Sequence, residues 1–143
     1  MGLDPKIWGP HYWFFLHTIA ISYPHRPNTI TKKKYYDFIH NIPMFIPVEN
    51  IASYFSQLLD QYPVSPYLDS RDAFIRWMHF IHNKINQKLE KPSISLSKFY
   101  ENYYEAYKPN DLKMREYYRT KSKIIYFVLI SIFIGTIVYF YEK

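Results

Sequence analysis

From Ile124 to Tyr141 the chain carries 18 consecutive uncharged residues, nearly all of them apolar. A run of that length suits a membrane-spanning helix, which needs ~17–25 residues to cross the hydrocarbon core of a bilayer. A core helix apolar on every side would need a second large domain around it, and 143 residues leave room for one domain of ordinary size plus an appendage. The run therefore divides the chain into a helical domain at 1–108, a basic juxtamembrane segment at 109–123 and a transmembrane helix at 124–141. Lys113, Arg115, Arg119, Lys121 and Lys123 precede the span, against Glu142 and Lys143 after it. This asymmetry predicts an amino-terminal domain on the cytosolic face. Tyr126, Tyr139, Phe140 and Tyr141 suit the aromatic belts at the two interfaces. No apolar run precedes Trp8, so no cleavable signal peptide is expected. Much of the net charge of +6 belongs to the juxtamembrane cluster, which anionic lipid head groups attract. The basic residues form no groove-tracking patch on the domain, which argues against nucleic acid as a partner.

Within the domain the periodicity is helical. Aromatic residues make up 21% of the chain and glycines number only 3, a balance that favours helix packing over a turn-rich sheet. Phe74, Trp77, Met78, Ile81, Ile85 and Leu89 recur at steps of three and four, one apolar stripe on a long helix that Asp69 or Ser70 can cap and Pro92 closes. A first helix is expected from Pro10, with Trp13, Leu16, His17 and Ala20 on one face, ending before Pro24. A second runs from Thr31 as N-cap to about Ile42, turning Tyr35, Phe38, Ile39 and Ile42 inward. Its opening Lys32, Lys33 and Lys34 read as a solvated face. Pro43 and Pro47 lead into a third helix with Val48 in its first turn and Ile51, Ala52, Phe55, Leu58 and Leu59 on its apolar face. A short fifth spans Ser95 to about Lys108, with Leu96, Phe99, Tyr103 and Tyr107 aligned. The fold class is thus all-α: an antiparallel four-helix bundle with a short fifth helix across it and a carboxy-terminal transmembrane helix.

His82, Asn83 and Asn86 lie beside the long stripe, where buried polar groups must find partners because an unsatisfied one costs ~1–3 kcal/mol. Backbone carbonyls of a neighbouring helix supply those partners in one reading, and a ligand with a flat ring and polar edges in the other. Taken alone, the Trp13–His17 face reads as an aromatic core with one satisfied histidine. No Gly-rich phosphate loop, metal-spaced His cluster or nucleophile–base pair occurs. His11, His25, His40 and His79 are scattered.

The run His82-Asn83-x-x-Asn86-x-x-Leu89-x-Lys91-Pro92 resembles the HNxVNxxLGKP signature of the Erv/ALR family, the FAD-linked sulfhydryl oxidases. Trp8-Gly9-Pro10-x-x-Trp13-x-x-Leu16-His17-x-x-Ala20-x-x-Tyr23-Pro24 is similar to the family's opening WGxxxWxxLHxxAxxYP, and Arg71, Phe74 and Trp77 fall between the two at family spacing. The resemblance covers about residues 8–107. It implies an Erv/ALR-like bundle in which Trp8, Gly9, Trp13, His17, Tyr23, His82, Asn83, Asn86 and Lys91 line an FAD site between the first and fourth helices. Direct packing of Trp13 on His82 with no cavity between them is the arrangement expected of a chain that has lost the cofactor. The resemblance also implies a Pro-Cys-x-x-Cys redox centre, and here that stretch reads Pro47-Val48-Glu49-Asn50-Ile51. Val48 and Ile51 stand in the two cysteine positions, and a structural disulfide of the family maps onto His79 and Leu96.

With no cysteine in the chain, no side chain supplies the thiolate that thiol–disulfide exchange requires. A cysteine count of zero excludes a disulfide framework without naming a compartment. Apolar replacements keep the packing of a buried cysteine while removing its chemistry, a pattern of natural loss rather than of engineered Ser or Ala. Two functions follow as expectations. One is a catalytically inactive, membrane-anchored structural or interaction protein, with other virion capsid or membrane proteins as partners and the virion inner membrane as its location, since the chain resembles the compact members carried by large DNA viruses. The other is an FAD-binding flavoprotein or an accessory subunit of a sulfhydryl oxidase system. The resemblance further implies a homodimer packed through the first two helices.

Overall fold

A computed structural model of the chain describes residues 3–142, so Lys143 lies outside the described residues. Among the described residues six α-helices follow in order: α1 Pro5–Ile21, α2 Thr29–Asn41, α3 Glu49–Gln61, α4 Arg71–Lys88, α5 Leu96–Glu105 and α6 Asn110–Tyr141, with 3-10 turns at Ile42–Phe45 and Ser65–Tyr67. No strand occurs among the described residues. The chain forms two compact units, residues 1–101 and 102–143.

Local capping chemistry decides where the helices begin, and in two places it overrides the expected start. α1 opens at Pro5 rather than Pro10 because Asp4 caps it, its Oδ1 accepting from the Lys6 amide at 2.8 Å. Pro10 consequently lies inside the helix. Gly9 makes this tolerable, since the restriction before a proline comes partly from a Cβ that glycine lacks. α2 opens at Thr29 rather than at a Thr31 cap, because the Asn28 side chain accepts from the Thr31 amide at 2.8 Å. Asn is the stronger N-cap residue. α3 has Val48 as its N-cap, one residue outside the first turn in which it was expected. For α4, Ser70 is the cap, with its hydroxyl accepting from the Ala73 amide, and Ser95 does the same for α5 through the Lys98 amide. α5 is shorter than the expected span to Lys108.

In the unit at 1–101 the core gathers on α4. Phe74, Trp77, Met78, Ile81 and Ile85 are buried as the stripe predicts, while Leu89 falls just past the helix as its C-cap. Against them pack Leu16 and Ala20 from α1 and Phe55, Leu58 and Leu59 from α3. The Trp77 indole N–H donates to the Tyr62 carbonyl at 2.9 Å, which satisfies the one polar atom of the largest core side chain. From α2, Ile39 is buried and Tyr35 meets Tyr23 and Phe74 edge-on.

α4 ends in a Schellman arrangement: the Lys91 amide donates to Asn86 O at 2.8 Å and the Glu90 amide to Gln87 O at 3.1 Å. Glu90 occupies its left-handed position at φ 55°. A side chain with a Cβ is disfavoured there by about 1 kcal/mol relative to glycine. Glu90→Gly is therefore expected to raise stability by about 1 kcal/mol, or about 5 °C in Tm for a unit of this size. A lowered Tm in thermal unfolding would contradict this account of the turn.

In the unit at 102–143 the basic segment and the apolar run form one uninterrupted helix of 32 residues. It is long and apolar enough to cross a membrane by length and composition, and no part of its apolar window is buried within the protein.

Candidate functional site

Trp13 and His17 are one turn apart on α1 and face His82 on α4. The Trp13 and His82 rings stack with centroids 4.0 Å apart and planes 12° from parallel. His17 Nε2 and His82 Nδ1 share a hydrogen bond of 2.9 Å, and Phe99 of α5 covers His17 with centroids 4.3 Å apart. Trp13 and His82 are thus packed directly on one another, with no room for a third ring between them.

Burial sets the charge state of this pair. Loss of solvent, followed by the neighbouring His82 and His79, lowers the His17 pKa from 6.5 to about 3. Burial, His79 and Lys91 lower that of His82 to about 4. Both imidazoles are therefore neutral at physiological pH, so one ring nitrogen of the contact donates and the other accepts. The second nitrogen of His17, Nδ1, is buried without a protein partner. Asn86 is only 5% exposed, and its side-chain amide makes no hydrogen bond within the described residues. One unmatched buried nitrogen, His17 Nδ1, thus sits beside an aromatic stack.

The remaining expected site residues are differently placed. Asn83 is committed to the backbone: its Nδ2 donates to Ile94 O and its Oδ1 accepts from the Ile94 amide, each at 2.9 Å. His79 joins this clasp by donating from Nε2 to Ile94 O at 2.8 Å, which holds the segment that leads into α5. Tyr23 is wholly buried with its hydroxyl donating to Leu68 O at 2.8 Å. Its own carbonyl accepts from Arg71 Nε, so the Tyr23-Pro24 turn is pinned to the start of α4. Trp8 lies near the start of α1, its indole N–H donating to Leu3 O. A Cβ at Gly9 would meet nothing within 4 Å apart from its own neighbours. Lys91 is half-buried and near enough to His82 to depress its pKa. His79, expected only as a lost disulfide position, and Phe99, expected only on the apolar face of the fifth helix, also border the pair, and His79 stands one turn before Asn83 on the same helix.

The stretch at the expected redox position closes the description. Val48 is half-buried at the N-cap of α3, and Ile51 is buried within the first turn, its amide donating to Val48 O at 3.0 Å. Both side chains are hydrocarbon.

The chain is similar to known proteins over most of the unit at 1–101. The 096R protein of Invertebrate iridescent virus 3, a proposed FAD-linked sulfhydryl oxidase, is 25% identical over 103 residues, covering 72% of this chain and 70% of that protein. The mitochondrial FAD-linked sulfhydryl oxidase ERV1 of Saccharomyces cerevisiae is 33% identical over 89 residues, covering 62% of this chain but only 46% of the relative. The solved FAD-binding domain of Erv1 from Saccharomyces cerevisiae superposes with a TM-score of 0.65 at 28% identity, over 72% of this chain and 96% of that domain. The sequence profile of the Erv1 / Alr family matches residues 10–105. With both sequence motifs, the matching bundle and a profile that spans two-thirds of its length, this chain belongs to the Erv1 / Alr family.

Proposed function

We propose that this protein is a redox-silent member of the family, anchored in a membrane by α6 and serving as a structural or interaction component. The observation that carries the reading is the pair Val48 and Ile51 at the start of α3. A helix N-terminus lowers a thiol pKa and so favours a reactive thiolate, and hydrocarbon side chains have nothing there to ionise. Relatives in iridescent viruses and in a mimivirus support a home in a large DNA virus, with the domain on the cytosolic side of an internal virion membrane and shell or membrane proteins as partners. A second copy is a further partner: Ile7 and Phe15 are apolar and exposed on α1, at 71% and 57%.

A second reading, a retained FAD site, rests on a separate observation. His17 Nδ1 is a buried polar atom without a partner, and with Asn86, itself 5% exposed, it fits the polar edge of a heterocycle. Trp13, His17, His82, Asn86 and Lys91 would hold the cofactor, which as an isoalloxazine supplies a two-electron acceptor. Neutral His17 and His82 offer it hydrogen bonds without charge, and Lys91 offers a cation to its phosphates. The direct Trp13–His82 stack supports the first reading over this one, because a ring cannot enter between them.

One purification tests both. Full-length protein is expected to stay with membranes through a high-salt wash and to need detergent for release, since apolar burial rather than charge retains it. Truncation after Asn110 is expected to release a soluble helical protein. Recovery of the full chain in salt alone would remove the anchor from the proposal. Colourless detergent-purified protein supports the redox-silent scaffold, and flavin absorbance near-stoichiometric with chain supports the second reading.

A further inference from the structure

We propose that Arg115, Arg119 and Lys123 form a binding stripe for an anionic phospholipid whose headgroup carries phosphomonoesters, on one face of α6 where the helix leaves the bilayer. The inference rests on the reading that α6 spans a membrane and adds the identity of the lipid it meets.

Because α6 is continuous from Asn110 to Tyr141, the three residues follow at i, i+4 and i+8. They cover an arc of about 80° and rise about 12 Å along the axis. Lys113 and Lys121 fall on the opposite side. Arg115, Arg119, Lys121 and Lys123 are exposed and Lys113 is half-buried. Of the neighbouring acids, Asp111, four residues before Arg115, makes no ion pair within the described residues, Glu116 is held by Lys108 at 3.0 Å, and Glu105 pairs with the same lysine at 2.9 Å. Arg115, Arg119 and Lys123 have no acidic partner within the described residues, so their charge is left to an external anion.

The direction of the side chains matters as well. On a helix they lean toward the N-terminus, which here is away from the apolar run. Lys123, the last residue before that run, therefore projects into the headgroup layer instead of the hydrocarbon. That layer is about 5–8 Å deep on each side of a bilayer, shallower than the stripe. A headgroup with only its diester phosphate and a small substituent meets Lys123 and Arg119. One that carries phosphomonoesters farther from the bilayer reaches Arg115 too, and the planar guanidinium groups suit bidentate contact with phosphate oxygens.

Native mass spectrometry of full-length protein in detergent micelles, titrated with phosphatidylinositol bisphosphate, phosphatidylserine or phosphatidylcholine, tests the assignment. The bisphosphate lipid is expected to bind about tenfold or more tighter than phosphatidylserine. The R115Q/R119Q/K123Q variant should lose that margin, whereas K113Q/K121Q on the other face should change it by less than about twofold. Equal loss per charge removed on the two faces would overturn the stripe, as would equal binding of phosphatidylserine. A chain that resists the salt wash yet shows no lipid selectivity overturns this inference and leaves the anchor standing.

Discussion

Between pH 7 and pH 5 the domain is expected to lose about 4 kcal/mol of stability, roughly 2 kcal/mol from each of His17 and His82. The sign follows from the direction of the shifts. Both histidines have folded pKa values, about 3 and about 4, below the 6.5 of the unfolded chain. Above pH 6.5 neither state binds the protons and the full stability is present. Below it the unfolded chain takes up two protons that the folded one refuses, and stability falls until the pH passes the folded values. The groups facing the pair are Trp13 on its own helix, His79 and Lys91 on and beyond α4, and Phe99 on α5. None of these is an acid that would hold an added proton. Since a domain is stable by only about 5–15 kcal/mol, the loss should appear as a large drop in the denaturation midpoint, followed by circular dichroism across this pH range. His82→Gln, which does not titrate, should remove about half of the dependence. A midpoint that holds steady from pH 7 to pH 5 would contradict the buried neutral pair.

Oxygen consumption driven by dithiothreitol is expected to equal the buffer blank for the native chain, because no mixed disulfide can form at Val48 or Ile51. The Val48→Cys/Ile51→Cys variant tests the same point from the other side. Position 48, half-buried at the helix cap, would present the thiol open to attack, and position 51 would hold the second thiol inside the first turn. A helix N-terminus favours the thiolate. Turnover is expected in that variant only where a flavin titration shows saturable binding, so the two measurements belong together. A saturable oxidase rate in the native chain would falsify the redox-silent reading.

The expected starts of the first two helices at Pro10 and Thr31 show where reading along the chain runs short. Proline and threonine are good signals, yet Asp4 and Asn28 lie earlier and make the capping hydrogen bonds, and only coordinates reveal which of several competent residues engages. The same limit applies at the site. Asn83 and Asn86 look equivalent as letters three apart, but one amide is bound on both edges by Ile94 and the other is not. The segment that decides this returns eleven residues later, beyond the reach of any local pattern.

The sequence by itself determined the helical class, the buried stripe from Phe74 to Ile85, the long apolar run and the absence of cysteine, because periodicity, length and composition are local properties that survive without coordinates. Tertiary structure alone decided that His17 meets His82 across α1 and α4, that Trp13 closes on the same ring, and that α6 carries its cations as a stripe on a continuous helix. Those facts depend on how separate helices rotate against each other, or on whether a helix breaks, and desolvation then sets charge states that no residue type has on its own.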